Sequence, residues 1–234
     1  MAANQQSAEV LRKGSVEGDS LQPFHGLLTP GICFASGHCV MIYSFSSTPT
    51  RTGAYDEIWL FTPEGERRLY TDPPEARQYV EIYHDFDHTL GATISWDQAD
   101  EDRVAFALTG EDGETLELDV NLGSTTATRL LNMIADLTPR FLLRTSIGQA
   151  VSTLSFNQLL DTNGMRIAGK TETQEPYRVE SDVLRAVTSA TAILNGEDLG
   201  AVQPPDRLIS FGDARVTDEP IFSFGDLYLR PPVT

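Results

Sequence analysis

Residues 103–122 read RVAFALTGEDGETLELDVNL, and this stretch decides the fold class. RVAFALT (103–109) and TLELDVNL (115–122) are β runs, and the GEDG between them carries Asp112-Gly113, a strong hairpin-turn dipeptide. In the second run Leu116, Leu118, Val120 and Leu122 share one face, and Glu117, Asp119 and Asn121 share the other. A period of two with one apolar and one polar face describes an antiparallel sheet with one side in water.

The same texture continues toward the N-terminus. ATISWD (92–97) leads into the acidic turn QADED (98–102). EIWLFT (57–62), the turn Pro63-Glu64-Gly65-Glu66 and RRLYT (67–71) read as strand, turn, strand, ended by Pro73-Pro74. QYVEIYHDF (78–86) alternates as a strand would. GICFASGHCVMIYSFS (31–46) reads as two β runs interrupted by Ser36-Gly37.

Toward the C-terminus the period changes. Ala127, Leu130, Leu131, Ile134 and Leu137 follow helical spacing, with Ser124 or Thr125 as the cap and Pro139 as the break. Residues 140–149 suggest a second short helix, 151–160 are ambiguous between helix and strand, and Asn163-Gly164 marks a turn. MRIAGKTET, PYRVESD and VLRAV then read as strands, followed by TAIL and the turn Asn195-Gly196. RLISFGDARV and PIFSFGDLYL close the chain and share the string Ser-Phe-Gly-Asp at 210–213 and 223–226, too short to establish a repeat. The expected fold is mainly β: a curved antiparallel sheet or β-barrel of about ten to thirteen strands with one central helical segment, about 124–150. Residues 1–20 are polar and read as a disordered tail, with a single β-rich domain over 21–234.

Charge bounds the partners. There are 34 acidic against 17 basic residues, a net charge of −17, and Lys13 and Lys170 are the only lysines. Phosphate backbones and anionic membranes repel such a surface, so no nucleic-acid partner is expected. No window approaches 18 consecutive apolar residues, so no membrane insertion is expected either. The N-terminal 20 residues lack an apolar core segment, which makes the cytoplasm the expected location. Acid excess, scarce lysine and abundant threonine suggest a halophile, where strong salt screens the self-repulsion. Cys33 and Cys39 are expected to be two buried thiols.

The common catalytic motifs are absent: no nucleophile elbow, phosphate-binding loop, dinucleotide fingerprint or HExxH. No cofactor is implied. The densest ionisable cluster is HDFDH (84–88). On a regular strand His84 and His88 sit roughly 13 Å apart, too far to share one metal, so no metal site is expected. His88 at a strand break is a candidate acid or base. Asp56 and Glu57 point to opposite faces of their strand, so at most one enters a cavity, where burial would raise its pKa. Arg51, in the preceding loop, could grip a carboxylate. Lys170 reads as a solvated hairpin lysine paired with Glu172.

Gly53-Ala54-Tyr55-Asp56-Glu57, followed by His88-Thr89-Leu90-Gly91-Ala92-Thr93-Ile94, a hairpin and a Pro- and Leu-rich connector, resembles the acetoacetate decarboxylase-like superfamily over roughly 25–230. The resemblance implies Glu57 and Arg51 as pocket residues. The family's Schiff-base lysine would fall near His88 or Thr89, where no lysine stands, so imine chemistry does not carry over. The meander over 57–122 also resembles lipocalin-like barrels, which implies an apolar ligand in the barrel mouth. Tyr43, Phe45, Trp59, Phe61, Tyr83, Phe86 and Trp96 would suit such a cavity, although a dry core suits most of them better. The expected function is a barrel-like protein binding a small organic or apolar ligand. Glu57 and His88 would converge as acid/base groups of a lyase or hydratase, with Arg51, Tyr55 and His84 binding the ligand. The alternative is a non-catalytic binding or assembly module with a filled core.

Overall fold

The computed structural model describes residues 21–100, 102–138, 145–160 and 166–231. The expected tail (1–20) and the turn at Asn163-Gly164 lie outside them. The strands are β1 (Gln22–Cys33), β2 (Cys39–Ser47), β3 (Tyr55–Phe61), β4 (Arg67–Asp72), β5 (His88–Asp100), β6 (Arg103–Gly110) and β7 (Thr115–Gly123). After them come β8 (Ala168–Lys170), β9 (Pro176–Leu194), β10 (Glu197–Asp198), β11 (Ser210–Phe211), β12 (Ala214–Arg215) and β13 (Ile221–Leu229). The helices are α1 (Arg77–Val80), α2 (Thr126–Leu137) and α3 (Ser146–Leu160).

The sheet runs β9-β13-β1-β2-β3-β4-β5-β6-β7 and closes where β7 pairs back onto β9. Nine strands thus form a ring of hydrogen bonds. The long β9 makes closure possible: its first half pairs with β13 and its second half with β7. The expected hairpin forms in the register Val104↔Val120, Phe106↔Leu118 and Leu108↔Leu116. Asn195 and Gly196 both take positive φ, 53° and 83°, as the turn after β9 requires.

Inward side chains from all nine strands fill the barrel. Leu27, Val40, Ile58, Tyr70, Ile94, Phe106, Leu118, Ala192 and Phe222 belong to one buried cluster. Among the described residues the interior is therefore a packed core. A second apolar cluster lies on the outside of β1–β4, β13 and the start of β9. It includes Phe24, Met41, Tyr43, Phe45, Tyr55, Trp59, Phe61 and Leu69. Residues 73–87 and 209–216 cover it, through Ala76, Val80, Tyr83, Ile209, Phe211 and Val216.

Four expectations are corrected. Residues 78–86 are not a strand. They hold α1 and a turn, because Tyr79, Val80 and Tyr83 are buried at helical spacing, and the parallel β4–β5 pair needs a crossover rather than another hairpin. Cys33 and Cys39 are not free thiols. They face each other across the β1–β2 hairpin with Cα atoms 4.0 Å apart and are bonded as a disulfide. Their separation of six hides this, because the β1–β2 hairpin sets them opposite. The central helical segment is two helices reaching Leu160, with Thr125 as the cap accepting from the Thr128 N–H. Lys170 is exposed with its Nζ 3.5 Å from Gln174 Oε1, because Glu172 is turned toward Arg67. The two Ser-Phe-Gly-Asp strings also differ: 210–213 turns from β11 toward β12, whereas 223–226 lies within β13.

Candidate functional site

A cavity of about 90 Å³ lies between the outer wall of the barrel and its cover. The wall supplies Tyr43 from β2 and Tyr55, Glu57 and Trp59 from β3. Alternation places Tyr55, Glu57, Trp59 and Phe61 on one face of β3, and Tyr43 sits directly across the ladder from Glu57. On β9, a register shift between the pairs Gly225↔Ser181 and Phe224↔Val183 resets the alternation, so Ser181 and Leu184 both line the cavity. The cover supplies Tyr83, His84, Phe156 and Phe211.

Glu57 is the charge-bearing group of the wall, and it is 4 % exposed. Burial pushes its carboxyl up to about 8, outweighing the opposite pull of the Trp59 indole. At neutral pH it is therefore mostly protonated. The Trp59 indole lies close enough to pull on the Glu57 carboxyl, but among the described residues neither Glu57 Oε2 nor Trp59 Nε1 completes a hydrogen bond. Two buried polar atoms without partners in one cavity are costly unless something else meets them.

His84 is the second titratable group of the lining. Its ring packs edge-on against Trp59, with centroids 4.7 Å apart, and lies 6.1 Å from Phe211. Burial lowers its pKa, against the pull of Glu172, so the ring is neutral. His84 Nδ1 lies 3.4 Å from Glu172 Oε2, an electrostatic contact short of an aligned hydrogen bond. Arg67 Nη1 donates to Glu172 Oε1 at 2.6 Å, and the Asp85 N–H donates to Glu172 Oε2 at 3.2 Å. Burial alone would raise the Glu172 carboxyl, but these bonds and His84 hold it below the usual range. The site thus pairs a protonated carboxyl with a neutral imidazole braced by a carboxylate, two environments that push titrations apart.

The expected residues divide. Glu57, Tyr55 and His84 come together here. His88 does not join them: it is exposed at the start of β5, opposite Arg68, because the crossover carries the chain away before that strand begins. Arg51 is exposed in the β2–β3 turn and does not line the cavity. Arg166, which no sequence pattern singles out, stands at the rim, 3.5 Å from Asp213, and its carbonyl accepts from the Tyr177 hydroxyl at 3.0 Å. Phe156 and Tyr177 are likewise lining residues that the sequence does not mark. The available signal was VMIY (40–43) and IWLF (58–61), runs too continuous for a strand with one wet face. Among the described residues no group of three or more His, Cys, Asp or Glu side chains could hold a metal ion, and no described helix is long and apolar enough to cross a membrane. No family model, curated protein or solved structure matches this chain.

Proposed function

We propose that the protein binds a small apolar organic molecule in the cavity outside its barrel and transfers a proton to or from it. The reaction class is a lyase, hydratase or isomerase step without an imine. The carrying observation is the Glu57 carboxyl, buried, held protonated and, among the described residues, without a hydrogen-bond partner at Oε2, in an aromatic cavity. Glu57 is suited to donate a proton, and His84, braced by Glu172, to accept one. Lys170, exposed and outside the lining, supports the exclusion of imine chemistry.

The test uses phenylnaphthylamine, an uncharged dye that brightens in apolar surroundings. Saturable binding at one dye per chain is expected. Ala214→Trp, which fills the cavity from its cover, should abolish it while leaving the circular dichroism unchanged. Dye binding that survives this change places the ligand elsewhere and sinks the proposal.

The second reading is a non-catalytic assembly module, favoured by the exposure of Met133, Leu137, Val151 and Leu154 on α2 and α3. Light scattering that returns a monomer across concentration removes it. The expected cytoplasmic setting sits uneasily with the Cys33–Cys39 bond, since disulfides persist mainly in oxidising compartments. The net charge supports adaptation to strong salt, for which melting temperature should rise with KCl; a flat curve counts against it.

A further inference from the structure

The Glu57 cavity has a neighbour. A second cavity of about 80 Å³ lies between α2, α3 and β9. Leu131, Ile134 and Ala135 of α2, Thr138 after it, and Ser152 and Ser155 of α3 form its far side, and the buried Glu180 of β9, which accepts from Arg178 Nε at 2.9 Å, also lines it. Phe156, Ile167, Val179, Ser181 and Leu184 line both cavities. Among the described residues these five form the shared partition of the two spaces. Phe156 and Leu184 are the buried members of that partition, packed with Leu131 and Ile221 in a small cluster of their own. Both spaces follow β9 from Val179 to Leu184, five residue steps or roughly 16 Å of strand.

The polar end of this space is equally specific. Trp59 Nε1 can only donate a hydrogen bond, and the protonated Glu57 carboxyl carries one donor. Both residues are almost wholly buried, at 2 % and 4 % exposure, and among the described residues neither atom completes a hydrogen bond. An uncharged oxygen acceptor satisfies the two donors together. A carboxylate would have to shed its hydration into an apolar space beside the Glu57 carboxyl, which makes it the poorer fit.

Building on the proposed Glu57 site, we propose that the two cavities form one channel for an elongated hydrocarbon chain ending in a carbonyl. The carbonyl oxygen meets the Glu57 carboxyl and the Trp59 indole N–H. The chain runs along β9, past Phe156, to the space beneath α2. The ligand class is thus a long-chain ketone or aldehyde. Apolar length supplies the affinity and the two donors select the head.

The test is a series of methyl ketones, from methyl hexyl to methyl dodecyl, competing with phenylnaphthylamine on the full chain. Matched carboxylates and plain alkanes serve as controls. Affinity should rise about threefold to fourfold per added methylene beyond the length the first cavity holds. Ser155→Trp, with Ser152→Leu as a milder variant, should remove that rise and leave the shortest ketone unchanged. Trp59→Phe, which leaves the Glu57 donor in place, should weaken the preference for ketone over alkane without changing its dependence on chain length. Affinity that stops rising at the shortest chains, or that ignores both α3 variants, overturns the channel while leaving the Glu57 site standing. A dye that no ketone displaces overturns the channel and the assigned head together, and binding of the dye itself then decides the Glu57 site separately.

Discussion

The two halves of the barrel's outer surface carry the same backbone ladder and opposite chemistry. On β7 the outward positions are Glu117, Asp119 and Asn121, and they meet solvent. On β2 and β3 the outward positions are Met41, Tyr43, Phe45, Tyr55, Glu57, Trp59 and Phe61, and all are buried. The polar half lets the barrel face water directly. The apolar half requires a cover, which the crossover after β4, α3 and the β11–β12 hairpin supply. A cover laid on a curved wall packs less completely than side chains inside a closed barrel, and the candidate site occupies the space left between them. The site therefore follows from an outer wall too apolar to be left wet.

The largest expected effect comes from cutting into the covered half. Trp59 touches Tyr43, His84, Phe86 and Phe211, with centroid separations of 5.5, 4.7, 4.8 and 5.8 Å. Trp59→Ala should cost about 3–5 kcal/mol in urea unfolding. A cost near that of a surface change would show that the cover is not packed on the wall.

Next is Glu57, whose folded pKa lies above its unfolded value, so the folded chain holds its proton more tightly. Stability from this group is complete below about pH 4.5, falls as pH rises, and levels off above about 8. Glu57→Gln should accordingly raise stability at pH 7 by on the order of 3 kcal/mol and change little at pH 4.5. Equal effects at both pH values would mean that the carboxyl is not held protonated. His84 acts in the opposite sense: its lowered pKa removes stability as pH falls through its unfolded range, and His84→Gln should flatten that acid limb.

The disulfide joins β1 to β2 beside the covered half. Replacing both cysteines by serine closes a smaller question, with an expected loss of about 2 kcal/mol for so short a loop. The smallest effect belongs to the wet half, where Arg103 bonds Asp119 in the open. Arg103→Ala should leave the unfolding midpoint unmoved, and a clear shift would erase the contrast between the halves.

Much of this contrast is written in the chain. LELDVNL alternates and VMIY and IWLF do not, so the residue pattern alone distinguishes one wet wall from one doubly buried wall. Asp112-Gly113 and Asn195-Gly196 announce their turns by local chemistry. Residues 78–86 were illegible because Tyr79, Val80 and Tyr83 suit a helix while the same stretch alternates like a strand. His84 and His88 were indistinguishable from sequence, being four residues apart in one polar cluster.

The sequence by itself determined the mainly β class, the hairpins, the wet face of β7 and the opposed directions of Asp56 and Glu57. These depend on period and turn residues, which act over a few positions. Only the tertiary structure decided that the barrel closes through β9, that Cys33 meets Cys39, and that His84 rather than His88 joins Glu57. It also decided that the cavity lies outside the barrel. Each of these depends on contacts between segments far apart in the chain or on the path of a loop. Local pattern carries no information about which distant segment fills a given space, and packing resolves that only when the whole chain is present.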